Sequence, residues 1–178
     1  MADQARFIEE FGTPVVWGES GASGVTKTLS LDALASGSAR MGASADLGSQ
    51  WDGEYLLEAM IESGTAPTAG GTIDVYLAWS YDGTTWPAGV SGSDGAWPSD
   101  GNEDEWATQL GAPSIQVVAT NDGTVLQVQN PVRIRARARY VTVIVDNNWN
   151  QAVRDEATAT NNDSRVKLTP IRVKAIDP

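Results

Sequence analysis

From Thr72 to Ser80 the side chains alternate without a break. Ile73, Val75, Leu77 and Trp79 fall on one side, and Asp74, Tyr76, Ala78 and Ser80 on the other. A period of two is the pattern of a half-buried strand, because successive strand side chains point to opposite faces of a sheet. This strand leaves Gly70-Gly71 and runs into a long excursion, Tyr81 to Trp106, that is rich in Gly and acid and holds Trp86, Trp97 and Trp106. A strand feeding a large decorated loop is where a β-domain commonly meets something else.

The rest of the chain repeats the theme. Val15 to Trp17, Val25 to Leu31 and Arg40 to Leu47 read as short strands separated by Gly- and Ser-rich turns. Glu54 to Ser63 has helix-favouring residues, yet Tyr55, Leu57, Ala59 and Ile61 alternate, and it is read as a strand. The turn TAPTAGG after it predicts a hairpin pairing 54–63 with 72–80. Ser114 to Thr120 is β-branched, Asn121-Asp122-Gly123 is a turn signal, and Val125 to Gln129 is read as the return strand, with Leu126 and Val128 on one face and Val125 and the two Gln on the other. Val132 to Ala138 and Tyr140 to Asp146 follow, the second expected to be central. Asn147 to Asp163 reads as loop. Ser164 to Ile176 reads as a last strand, with Pro170 at a bulge or edge.

These runs number about eight or nine with no long amphipathic helix between them, which predicts an all-β fold: an antiparallel β-sandwich, jelly-roll-like, with one long acidic loop. Residues 15–178 are expected to form that single domain. Residues 1–14 read as an N-terminal arm in which Phe7, Ile8 and Phe11 share a face of one or two helical turns, ended by Pro14.

Composition removes several chemistries. With no Cys and no His, disulfides, thiolate or imidazole metal sites, and triads built on His have no residues to form from. Only oxygen-ligated Ca²⁺ or Mg²⁺ is left as metal chemistry. No run of 18 apolar residues reads as a membrane helix, and the first residues read as no signal peptide, so synthesis in a cytoplasm is expected. The formal charge of −11 is uneven: residues 1–130 carry 3 Lys/Arg against 18 Asp/Glu, a net of −15, and residues 131–178 carry 9 against 5, a net of +4. So acidic a surface repels polyphosphate and argues against nucleic acid as partner.

Four constellations stand out. Ser80-Tyr81-Asp82-Gly83-Thr84-Thr85-Trp86 is similar to the Asp-box hairpin ends of sialidase propellers, one residue short of the usual spacing, and reads as a structural turn. Asp94, Asp100, Glu103, Asp104 and Glu105 form an acidic cluster. Its spacing is not that of an EF-hand, so a solvated loop is the first reading, a Ca²⁺ site the second and a glycosidase carboxylate pair the third. Trp86, Trp97 and Trp106 either lock the loop onto the core or offer a stacking platform to sugar, and locking is favoured because a free loop of this length is entropically costly. Arg133, Arg135, Arg137 and Arg139 alternate on one face and need an anionic counterpart: carboxylates of this chain or of a neighbouring copy.

Ala66–Pro87 (APTAGGTIDVYLAWSYDGTTWP), the GVSGSDGAW that follows, Tyr140–Asn148 (YVTVIVDNN) and Ala157–Ile171 together resemble small β-sandwich virion structural proteins of tailed bacteriophages, over roughly residues 40–175. The resemblance implies a non-enzymatic protein without cofactor, located in the virion. The resemblance does not separate a head protein from a tail component; the favoured expectation is a capsid decoration or cement protein that contacts the major capsid protein or other virion proteins and forms a homo-oligomer such as a trimer, with neither nucleic acid nor membrane as partner. Contact residues are expected at Phe7, Ile8, Phe11, the four Arg, Asp100, Glu103, Asp104 and Glu105, with an assembly that weakens in high salt. The alternatives are a carbohydrate-binding module, or a tail-associated accessory protein, using the Trp-rich loop.

Overall fold

Short apolar runs with a period of two become strands, and two sheets of such strands bury their apolar faces against each other. The computed structural model describes residues 6–50, 53–97, 108–120, 126–154 and 164–176. Among them the strands are β1 Arg6–Phe11, β2 Val15–Gly18, β3 Lys27–Thr28, β4 Ser38–Met41, β5 Ala45–Asp46, β6 Glu54–Glu62, β7 Thr72–Ser80, β8 Gly95–Ala96, β9 Ile115–Val118, β10 Leu126–Val128, β11 Val132–Arg135, β12 Tyr140–Asn147 and β13 Arg165–Ile176. Sheet I runs β10-β6-β13-β2-β3, with β11 also on β6 and β1 also on β13. Sheet II runs β8-β4-β12-β7-β9, with β5 also on β12. The β2–β3 contact is parallel, and the other strand pairs are antiparallel. The all-β, sandwich-like expectation is met. The strands exceed eight or nine because residues 40–47, read as one strand, divide into β4 and β5, and because β1 and β8 form where no strand is read.

Trp17, Leu57, Ile61, Val166 and Leu168 of sheet I meet Ile73, Val75, Val117, Val141, Val143 and Val145 of sheet II in the main core. The segment read with difficulty as strand, 54–62, is β6, and Tyr55, Leu57, Ala59 and Ile61 are its buried face. The β12 strand is central in its sheet, as its β-branched sequence predicts. Pro170 lies where the neighbour of β13 changes from β2, which ends opposite Leu168, to β1, which begins opposite Ile171. A residue with no N–H to give fits a point where the ladder is interrupted.

Three expectations are corrected. β6 and β7 do not form a hairpin: β6 pairs with β13, β10 and β11, and β7 pairs with β12 and β9. The turn between them crosses from one sheet to the other, so their apolar faces meet across the core rather than lying side by side. The same holds for β9 and β10, which belong to different sheets. On β10 the division of faces read from the sequence is met, with Gln127 on one side and Leu126 and Val128 on the other, and the Gln127 side is the inward one. Gln127 is buried, its side-chain oxygen accepting from the Thr120 N–H (3.1 Å) and the Thr120 hydroxyl (2.8 Å), while Val128 is exposed. Finally, residues 6–11 are a strand and not helical turns. Pairing with β13 supplies the backbone hydrogen bonds that six residues of isolated helix could not sustain.

Trp17 ties the two sheets. It is fully buried on β2, and its indole N–H donates to the Ala43 carbonyl oxygen (2.7 Å) in the turn between β4 and β5. Trp17→Phe keeps most of the buried area and removes the donor, leaving that carbonyl oxygen without its partner. Urea unfolding is expected to show a loss of about 1–3 kcal/mol; an unchanged midpoint would deny the hydrogen bond a role in joining the sheets.

Candidate interaction surface

The two outer faces of the sandwich are treated differently. Outside sheet II, the segment after β7 folds back and covers Tyr76 and Ala78 of β7, Ile144 of β12 and Met41 of β4 with Ala88, Val90 and Trp97, Trp86 packing at the edge. The locking reading of the Trp is therefore met for Trp97. It is 3% exposed, its ring sits 6.5 Å from that of Tyr76, and its indole N–H donates to the Ala88 carbonyl oxygen (2.8 Å). Trp86 is half-buried and donates to the Gly83 carbonyl oxygen (3.2 Å). A Cβ at Gly92, whose φ is +70°, would lie 2.7 Å from the Trp86 indole nitrogen, so the segment closes on this ring only with glycine there. Tyr81 is exposed, and Trp106 lies outside the described residues.

Polar contacts finish the fastening. The Asp82 carboxylate accepts from the N–H groups of Thr85 (2.7 Å) and Thr84 (2.8 Å), from the Thr85 hydroxyl and from the Ser80 hydroxyl. These bonds hold its pKa well below the ordinary carboxylate range. The Asp-box-like stretch is thus a structural turn, as read. Asp94 is not a free member of an acidic cluster. It takes a bidentate pair of bonds from Arg40 (2.7 and 3.0 Å) and one from the Ser30 N–H (3.1 Å), pinning the loop to β4. Burial pushes the Asp94 carboxyl upward, but the Arg40 and Ser30 bonds outweigh it and the net shift is down. Such a group stays ionised and is unsuited to act as a general acid. Asp100, Glu103, Asp104 and Glu105 lie outside the described residues. No group of three or more metal-ligating side chains occurs among the described residues.

The Arg run begins on β11 and crosses to β12, so it spans the border between the sheets. Ala136 and Ala138 are buried between exposed Arg135, Arg137 and Arg139, as alternation predicts. Arg133 bonds Glu9 on β1 and Glu54 on β6, each at 3.0 Å. Arg139 bonds Asp46 on β5 (2.6 Å) and lies over the Tyr140 ring at 5.1 Å. These counterparts are acidic residues of the same chain. Arg135 and Arg137 make no ion pair among the described residues.

Outside sheet I no segment among the described residues lies over the strands as the loop lies over sheet II. Leu56 and Met60 of β6 point outward, half-buried, beside the Glu58–Lys167 pair (2.8 Å), and Val128 is exposed opposite Met60. The face continues onto β1 and the end of β13. Register places Phe7, Glu9 and Phe11 on the same side as Val173 and Ile171. Phe7 (67%), Phe11 (62%) and Val173 (68%) are exposed, while the opposite side carries Ile8, Glu10, Arg172 and Lys174. From Arg172 onward β13 pairs with β1 alone among the described residues, which leave both edges of this two-stranded ribbon open. Sequence reading placed Phe7, Ile8 and Phe11 on one face; the strand keeps Phe7 and Phe11 together and turns Ile8 to the other side, because its period is two. Sequence reading missed Val173, which strand pairing sets opposite Glu9, and Val128 and Met60, which it sets opposite each other.

Compared with protein-family models, with curated proteins and with solved structures, the chain gives no match.

Two outcomes follow for the fastening. Trp97→Ala empties the centre of the second cluster and is expected to lower stability by about 3–5 kcal/mol, read by chemical denaturation; a loss below 1 kcal/mol would mean that the loop is not locked by this ring. The acid limb of stability carries the second. Arg139 and the Gly48 N–H pull the Asp46 carboxyl down to about 2, and Asp82 and Asp94 are also lowered. A lowered folded-state pKa gives stability that is complete above the unfolded value near 4 and is lost as pH falls through the folded value. Thermal midpoints should therefore drop between about pH 4 and pH 2, and Asp46→Asn should flatten that slope.

Proposed function

We propose that this chain is a non-enzymatic virion structural protein of a bacteriophage, a capsid decoration or cement protein that docks on the shell through the β1–β13 ribbon and the outer face of sheet I. The observation that carries the proposal is the exposed row Phe7, Phe11 and Val173 on a hydrogen-bonded ribbon whose edges are open among the described residues. Large apolar side chains held together on a rigid backbone lose little entropy on docking, and an open edge can accept a strand. The resemblance of Ala66–Pro87 and Tyr140–Asn148 to phage virion proteins supplies the kind of partner, the major capsid protein. The proposal includes the finer fold reading, a jelly-roll-like sandwich. In its favour, consecutive strands move repeatedly between the sheets, as β5, β6, β7 and then β9, β10 do.

Docking through this ribbon is apolar first. Since Arg133 and Arg139 are engaged within the chain, the salt sensitivity expected from a free Arg face shrinks to what Arg135 and Arg137 contribute. The reading of the loop as a sugar platform has less to stand on, because Trp97 has no free ring face.

The test is co-sedimentation with intact particles. Phe7→Ser with Phe11→Ser should abolish binding while circular dichroism and the unfolding midpoint of the isolated protein stay close to wild type. Binding of the wild-type chain should persist at about 1 M salt, where the Debye length is about 3 Å. Undiminished binding of the double variant would remove the ribbon from the interface, and no binding of the wild type to any particle component would remove the virion role.

A further inference from the structure

A second feature lies away from the ribbon and is independent of the docking proposal. Where β11 leaves sheet I for sheet II, the two sheets part and leave a cleft of about 430 Å³. Its lining includes Leu77 and Trp79 of β7, Ile134 of β11 and Ala136, all buried or half-buried, together with Arg135 and Arg137. The volume falls in the range of small-molecule sites, which pair an apolar floor with a few polar groups. The same two Arg are the members of the run without an ion pair among the described residues.

We infer that this cleft binds an amphiphilic oxyanion, a small molecule with a carboxylate or phosphate head on a hydrocarbon body. Arg135 and Arg137 stand two residues apart, both exposed, with Ala136 buried between them. Their guanidinium forks match carboxylate and phosphate oxygens with paired hydrogen bonds. The hydrocarbon body would lie on Leu77, Trp79 and Ile134 and be removed from water. Neither part suffices alone. A bare anion faces a chain of net charge −11 and gains only the two Arg. A neutral hydrocarbon of the same size leaves both guanidinium groups without a counterion.

Isothermal titration calorimetry of the full chain with four probes tests this. Hexanoate and hexyl phosphate share the body and differ in the head, and so distinguish the two sources of the anion. Acetate lacks the body, and hexanol lacks the charge. At least one of the two amphiphiles should bind, at least tenfold more tightly than acetate and hexanol. Arg135→Gln with Arg137→Gln should weaken that binding at least tenfold at an unchanged thermal midpoint, since both side chains are exposed. Trp79→Leu, a smaller apolar floor residue, should weaken it too while keeping the preference for the charged probe. Equal binding of hexanol and hexanoate, full binding by the double Arg variant, or no binding of either amphiphile at millimolar concentration would each overturn the inference. Particle binding by the Phe7, Phe11 variant is read separately, so failure of one proposal leaves the other standing.

Discussion

Sheet II is apolar on both of its faces, and much of the remaining architecture answers that condition. On the inner side, β7 and β12 present Ile73, Val75, Val141, Val143 and Val145 to sheet I. On the outer side they carry Tyr76, Ala78 and Ile144, which would be left in water without a cover. The segment after β7 is that cover. Its Gly positions let the chain close tightly over the rings, its Trp97 fills the space above the sheet, and the Asp94–Arg40 pair fixes its far end to β4. The decorated loop is thus a third layer over the sandwich, and the charged residues described within it serve that purpose first.

Sheet I has the opposite arrangement. Its outer face is a mixture of paired charges, Glu58 with Lys167 and Glu62 with Arg154, and half-buried apolar side chains. The ribbon of β1 and β13 extends this face with aromatic residues that nothing among the described residues covers. Arg133 joins ribbon and sheet by holding Glu9 and Glu54 at once, which orients the ribbon's apolar side with the outer face. One face covered and one uncovered among the described residues give the molecule a defined direction, which is what the docking proposed above requires.

The cationic run has a divided role that its sequence conceals. Four Arg at alternate positions look equivalent, but the backbone beneath them passes from one sheet to the other. Arg133 and Arg139, at the two ends, meet carboxylates on β1, β6 and β5. Arg135 and Arg137, in the middle, lie over the gap between the sheets. Position along the crossover, and not residue type, decides which Arg fastens the fold and which line the cleft.

Much of this was legible in the residues. The alternations at Glu54–Glu62 and Thr72–Ser80 determine strands and their buried faces, because side-chain direction along a strand is local and has a period of two. The β-branched run at Tyr140–Asn147 determines a central strand, and the Asp82 turn follows from groups within five residues of one another. Pairing is a different matter. Turn signals such as TAPTAGG mark a reversal but do not say whether the chain returns beside its strand or crosses the core, since both bury the same apolar face. The tertiary structure decided that β6 faces β7 across the core, that Gln127 points inward to Thr120, and that residues 6–11 extend along β13. It also decided that Asp94 belongs to Arg40. Each of these rests on groups far apart in the chain, whose contact depends on how the sheets assemble and leaves no spacing in the sequence to read.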